Sequence, residues 1–188
     1  MTKSFSKNES TCRWGSQIAK LQFVEQWEGT NSAWRRLPKI EPGQSWFDLP
    51  KENMKESSQH YVKQLDTDPI PPEAAAAQLL IAEGAEEAYV IENWNGIGVM
   101  SHHLRGVEDD SKIWEIIEMY KKQSGKPFAG GFPDVVALWS NGSVSMCEVK
   151  IKGKDCLSGS QISGVDTYVS MFGDKLDLRV FEWNGSKT

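Results

Sequence analysis

A proline–aspartate turn followed by two strand-like runs constrains this chain more than any other feature. Gly131-Phe132-Pro133-Asp134 leads into Val135-Val136-Ala137-Leu138-Trp139, Ser140-Asn141-Gly142-Ser143 interrupts the run, and Val144-Ser145-Met146-Cys147-Glu148-Val149-Lys150-Ile151 resumes it. Strand formers on both sides of an Asn-Gly pair predict an antiparallel hairpin. The loop length then decides which side chains share a face. A two-residue Asn141-Gly142 loop would pair Asp134 with Val149 and send Asp134 and Glu148 to opposite faces. A three-residue Ser140-Asn141-Gly142 loop, with Gly142 left-handed at a bulge, pairs Trp139 with Ser143 and Asp134 with Glu148. Lys150 joins them, because residues two apart on a strand point the same way. The bulged loop is the expected one, since that register gathers all three charges on one face, although a bulge elsewhere in the pair would serve equally well.

Two carboxylates and a lysine at one point, with Leu157-Ser158-Gly159-Ser160-Gln161 close behind, are suited to metal-assisted phosphodiester hydrolysis. Asp134 and Glu148 offer hard oxygens of the kind Mg²⁺ or Mn²⁺ prefers, and Lys150 can orient water or neutralise charge near a phosphate. Taken singly, Glu148 and Lys150 would be ordinary solvated strand charges; their alternation with Asp134 argues otherwise. Gln161 has a competing explanation, because Ser158-Gly159-Ser160-Gln161 fits the Ser-x-x-Gln capping box that opens a helix. One side chain could fill both roles only by swinging between them.

These segments together resemble the VRR-NUC (virus-type replication-repair nuclease) branch of the PD-(D/E)XK superfamily, which includes Fanconi-associated nuclease. The shared elements are the Gly-x-Pro-Asp turn (Gly131 to Asp134), the Glu-Val-Lys strand (Glu148 to Lys150) and the Asp-x-Leu-Ser-x-x-Gln helix start (Asp155 to Gln161). The resemblance implies a metal-dependent DNA endonuclease with Asp134, Glu148, Lys150 and Gln161 as catalytic residues. It implies Mg²⁺ or Mn²⁺ held by Asp134, Glu148, the Val149 carbonyl and an acid on the first core helix, for which Glu73 is the best-placed match. Glu83, Glu86, Glu87 and Glu118 are alternatives for that acid. Relatives of this kind act on flap or junction DNA in repair, or serve as antibacterial DNase toxins restrained by an immunity protein. A noncatalytic nucleic-acid or protein binding module of the same fold is the rival from another class.

Two departures stand out. The Lys150–Asp155 connection is one residue longer than the common form, and Gly164 stands where many members carry tryptophan. A glycine inside a helix costs about 1 kcal/mol relative to alanine.

The expected fold is α/β: a restriction-endonuclease-like core at 69–188, with a mixed central sheet flanked by helices, and a Trp-rich extension at 1–68 packed on it. The extension holds Trp14, Trp27, Trp34 and Trp46, which can pack against a neighbouring layer or stack on bases. Ile18, Leu21, Val24 and Trp27 space out an amphipathic helix over 16–28. Asp68-Pro69-Ile70-Pro71-Pro72 breaks the chain and launches an alanine-rich helix over 73–83; a second helix is expected over 111–122 and the active-site helix over 158–172. The first core strand is either Tyr89 to Ile91 or Ile97 to Met100, and Leu176 to Trp183 closes the sheet. Adjacent His102 and His103 would point apart on a strand and carry no catalytic role.

A net charge of −5 argues against a dense basic arm, so DNA contact is expected from a local strip at Lys152 and Lys154, with Lys121, Lys122 and Lys126 nearby. Three cysteines without paired zinc-ligand spacing favour neither disulfides nor structural zinc. Without a long apolar span or a leader-like start, a cytoplasmic protein is expected, or one delivered into a target cytoplasm if a toxin.

Overall fold

The computed structural model describes residues 9–24, 28–30, 35–36, 40–48, 55–56, 61–63, 70–92, 98–125 and 130–184. Two strands open the chain, β1 (Glu9–Trp14) and β2 (Gln17–Phe23). Four short strands follow, β3 (Glu28–Thr30), β4 (Arg35–Arg36), β5 (Lys55–Glu56) and β6 (Tyr61–Lys63), paired as β3 with β6 and β4 with β5. The remainder runs α1 (Pro72–Ala82), β7 (Glu87–Glu92), β8 (Gly98–Ser101), α2 (Lys112–Ser124), β9 (Val135–Leu138), β10 (Val144–Ile151), α3 (Gly159–Phe172) and β11 (Leu176–Trp183).

Seven strands make one mixed sheet in the order β1-β2-β11-β10-β9-β7-β8. Strand alternation divides its side chains between two cores. Ala88, Val90, Val135, Ala137, Cys147 and Val149 meet Ala74, Ala75, Ala77 and Leu80 of α1 on one face. Tyr89, Ile91, Val136, Met146 and Val180 meet Ile113, Ile117 and Tyr120 of α2 and Val165 and Tyr168 of α3 on the other. Because β10 is central and covered on both sides, its apolar positions are buried throughout. The run of small alanines lets α1 lie close against the sheet, and Pro72 opens it where its missing N–H leaves no helical bond unmade.

The β9–β10 register is the bulged one. Partners run from Leu138 with Val144 to Val135 with Cys147, and the Trp139 N–H donates to the Ser143 carbonyl at 3.1 Å. Gly142, at φ +79°, donates to the Trp139 carbonyl at 2.9 Å. Asp134 therefore stands across from Glu148. Both candidates for the first core strand are strands: β7 lies beside β9, while β8 is at the sheet edge.

Three expectations are corrected. The helix over 16–28 is absent, because its first half is strand β2. Gly15 at φ +60° turns β1 back so that Trp14 pairs with Gln17, and β2 then runs parallel to β11 from Lys20–Arg179 to Phe23–Glu182. Hydrogen bonds from strands on both sides outweigh a local apolar spacing, and Ile18, assigned to the helix's apolar face, is 62% exposed. The N-terminal region thus contributes strands to the central sheet as well as packing on it. His102 and His103 occupy a turn after β8 with ring centroids 3.9 Å apart, so they do not diverge as on a strand. Trp14 and Trp46 are buried in the cores, in line with the packing reading of the tryptophans, while Trp27 and Trp34 lie outside the described residues.

Candidate active site

The site assembles at the end of the sheet where β9 starts, β10 finishes and α3 begins. Glu148 projects from β10 into the α2–α3 side and is fully buried. One of its oxygens, Oε2, accepts from Lys150 Nζ at 2.6 Å and from the Gln161 side-chain amide. The other, Oε1, is buried without a hydrogen-bond partner. Asp134 lies beside this pair, its Oδ2 accepting the Val149 N–H at 2.9 Å and standing 3.7 Å from Lys150 Nζ. The turn, the Glu-Val-Lys strand and the helix start are therefore contiguous in space.

Gln161 serves two partners at once. Its Oε1 accepts the Ser158 N–H at 2.8 Å, and its own N–H donates to Ser158 Oγ at 3.3 Å, completing the capping box. Its Nε2 donates to Glu148. No swing is needed, because an amide has an acceptor end and a donor end that can face opposite ways.

Electrostatics in this enclosure follow from burial. Desolvation, then the Asp134 carboxylate, push the Glu148 carboxyl well above its ordinary range despite Lys150. Burial works against the Lys150 charge, but Asp134 and Glu148 together hold its ammonium above its ordinary value. Lys150 is accordingly a cation at neutral pH, equipped to neutralise or orient and not to accept a proton.

Glu73 sits in the first turn of α1, partly in contact with solvent yet ringed by protein. Burial, then Asp134 and Glu92, raise its carboxyl to about 8, although its own backbone N–H and Lys150 favour the charged form. Glu118 is on the exposed side of α2, bonded to Lys121 at 2.5 Å. Glu83 is paired with Arg179 at 2.5 Å, Glu86 is exposed, and Glu87 accepts from the Tyr89 hydroxyl at 2.7 Å. Of these acids, Glu73 feels the charge of Asp134. Glu92, at the end of β7, was missed by sequence reasoning; a lone strand-end glutamate carries no local signal.

The raised Glu73 carboxyl has a measurable consequence. A carboxyl with a native pKa above its unfolded value stabilises fully below the unfolded pKa, about 4.3, and that contribution is lost as pH rises through about 8. Metal-free protein is expected to gain stability as pH falls across that window, with a slope from this group of at most about 1.4 kcal/mol per pH unit. Urea unfolding in EDTA checks this: Glu73→Gln should flatten the profile, and Glu118→Gln should leave it as in the parent. The reverse result would move the coupled acid to α2.

The turn carrying Asp134 is pressed against α3. A Cβ on Gly131, at φ +86°, would lie 2.2 Å from the Ser160 carbonyl oxygen, and one on Gly164 would lie 2.8 Å from the Gly131 carbonyl oxygen. Gly164 is therefore required by the close approach of backbone to helix, which accounts for a glycine where a tryptophan would not fit. Tyr168 donates its hydroxyl to the Gly131 carbonyl and Tyr120 donates to Gly130 at 3.2 Å. The signal for these tyrosines was available, since a hydroxyl on an apolar helix face needs a buried partner. The connection after Lys150 turns at Gly153, at φ +71°, and Asp155 folds back to accept the Ile151 N–H at 3.1 Å.

Among the described residues, no three His, Cys, Asp or Glu side chains converge closely enough to hold a metal ion, with the Lys150 ammonium drawn to both site carboxylates. The donor chemistry nonetheless fits a hard divalent cation, because Glu148 Oε1 is a buried carboxyl oxygen without a hydrogen-bond partner next to a second carboxyl group. Lys152 and Lys154 are exposed on the turn after β10, with Lys152 Nζ 4.1 Å from the centre of the Phe23 ring; Lys126 lies outside the described residues. No helix among the described residues is long and apolar enough to cross a membrane. Comparison of the chain with models of known protein families, with curated proteins and with solved structures found no significant match.

Proposed function

We propose that this chain is a divalent-metal-dependent nuclease of the PD-(D/E)XK kind that hydrolyses phosphodiester bonds in DNA. The observation that carries the reading is Glu148: a fully buried carboxylate bonded on one oxygen to Lys150 and Gln161, unpartnered on the other, and facing Asp134. A core without function would not be expected to retain such an acceptor, since an unsatisfied buried polar atom costs about 1–3 kcal/mol. The succession of α1, β7, the β9–β10 hairpin, α3 and β11 supports the same fold assignment.

Asp134 and Glu148, with Glu73 on the adjoining helix end and the Val149 carbonyl, would hold Mg²⁺ or Mn²⁺, which when bound supplies Lewis-acid stabilisation of the phosphate and a more acidic water. Lys150, kept cationic by its two carboxylates, places positive charge where the phosphate becomes more negative. Gln161 fixes the Glu148 carboxylate and, through its capping bonds, ties that orientation to the start of α3. Lys152 and Lys154 would contact flanking phosphates.

Cleavage should be assayed on linear duplex, single strand, flap, four-way junction and supercoiled plasmid, with Mg²⁺, Mn²⁺ or EDTA. Metal-dependent cutting is the expected outcome. Preference for flaps or junctions would indicate a repair-type role, and indiscriminate cutting a toxin held by an immunity protein. Binding of DNA without cutting under any metal would replace the nuclease with a noncatalytic module.

A further inference from the structure

The β1–β2 hairpin reaches across the fold to the first turns of α3. Trp14 is fully buried, its indole N–H donates to the Gln161 carbonyl at 2.9 Å, and its ring meets Tyr168 edge-on at 6.3 Å between centroids. The turn itself is seated on the helix. A Cβ on Gly15 would lie 2.7 Å from Val165 Cγ1 and 2.9 Å from the Ile162 carbonyl oxygen, and Ser16 Oγ donates to Asp166 at 2.8 Å. Three consecutive residues of the hairpin thus hold one stretch of α3 from Gln161 to Asp166.

We infer that the β1–β2 hairpin is a positioning clamp for the active-site helix, in which the Trp14 indole N–H, acting through the Gln161 backbone, sets the Gln161 amide on Glu148; the inference rests on the nuclease reading. The first turn of a helix has backbone N–H groups without an intrahelical partner, so it is held less firmly than the turns that follow. Ser158 and Gln161 cap the N–H side locally. Trp14 restrains the same turn from a strand 147 residues away in sequence. Glu148 is buried in β10, which is paired on both sides, so restraining the first turn of α3 restrains the other half of the Glu148–Gln161 contact. Such restraint matters because small displacements of catalytic groups lower the rate steeply. Trp14 is a positioning residue: its indole N–H bonds the Gln161 backbone and its ring packs on Tyr168.

Trp14→Phe retains a ring and removes the N–H donor. Turnover in Mg²⁺ is expected to fall on the order of tenfold, with KM for DNA little changed. In a Gln161→Ala background, which preserves the backbone carbonyl but deletes the amide, Trp14→Phe should cause no further loss. A role confined to general packing would lower turnover equally in both backgrounds, and that result would overturn the clamp. The Gln161 side-chain amide resonances, followed by NMR in metal-free protein, supply a readout independent of catalysis: Trp14→Phe should shift them and speed their exchange with solvent, and unchanged resonances would overturn the inference even if no cleavage were found. Should Trp14→Phe fail to fold, Gly15→Ala, which pushes the turn away from Ile162, is expected to give the same resonance shift and the same dependence on Gln161. An inactive parent protein with shifted resonances would sink the nuclease reading and leave the clamp standing.

Discussion

Glu148→Gln is expected to reduce Mg²⁺-dependent cleavage on the order of a thousandfold or more while the protein stays folded. The substitution keeps the side chain's shape but replaces an anionic acceptor with an amide, so it cannot provide the charge needed to hold a divalent ion against water. Stability should move differently. Burial and Asp134 push the Glu148 carboxyl far above its ordinary range, so ionising it at neutral pH disfavours the native state in the absence of metal. Removing that charge should leave metal-free protein at least as resistant to heat as the parent. Added Mg²⁺ should raise the parent's melting temperature and leave that of Glu148→Gln unmoved, because only a state that binds the ion gains from it. Cleavage by folded Glu148→Gln at the parental rate would eliminate Glu148 from the site.

Gly131→Ala should be the most damaging single-methyl change near the site, with an expected loss of about 2–5 kcal/mol. About 1–2 kcal/mol comes from a non-glycine residue in the left-handed region, and about 1–3 kcal/mol from overpacking. The contact is backbone on backbone: the new methyl would sit 2.2 Å from the Ser160 carbonyl oxygen, and neither partner can rotate away as a side chain could. The turn would have to lift off α3, breaking the Tyr168 bond to the Gly131 carbonyl and displacing Asp134 from Val149. Gly153→Ala is the matched control, since Gly153 also has a positive φ but nothing within 4 Å of where its methyl would stand. Chemical denaturation compares the two. Equal destabilisation would show that conformational strain, and not the close approach to α3, accounts for the glycine at 131.

Where the arrangement of the candidate site rests on local sequence, it was legible. Ser140-Asn141-Gly142 fixes the hairpin register because a left-handed glycine and a bulge are short-range properties, and that register alone brings Asp134 opposite Glu148. The proline at the start of α1, the apolar face of α2 and the Ser158–Gln161 box are likewise written within a turn or two of helix. What the tertiary structure decided depends on partners remote along the chain. Residues 17–23 carry a spacing that suits a helix, and they became strand when β1 and β11 offered hydrogen bonds on both sides. Gln161 reads as a choice between capping and catalysis until Glu148 is placed at its free amide end. Gly164 reads as a weak point in α3 until the Gly131 carbonyl is found against it. Trp14 reads as one aromatic among several until its N–H meets α3. Local propensities amount to about a kilocalorie per mole or less for each residue, so where burial and hydrogen bonds between distant segments are worth more in total, the sequence window names the candidates and only the assembled fold selects among them.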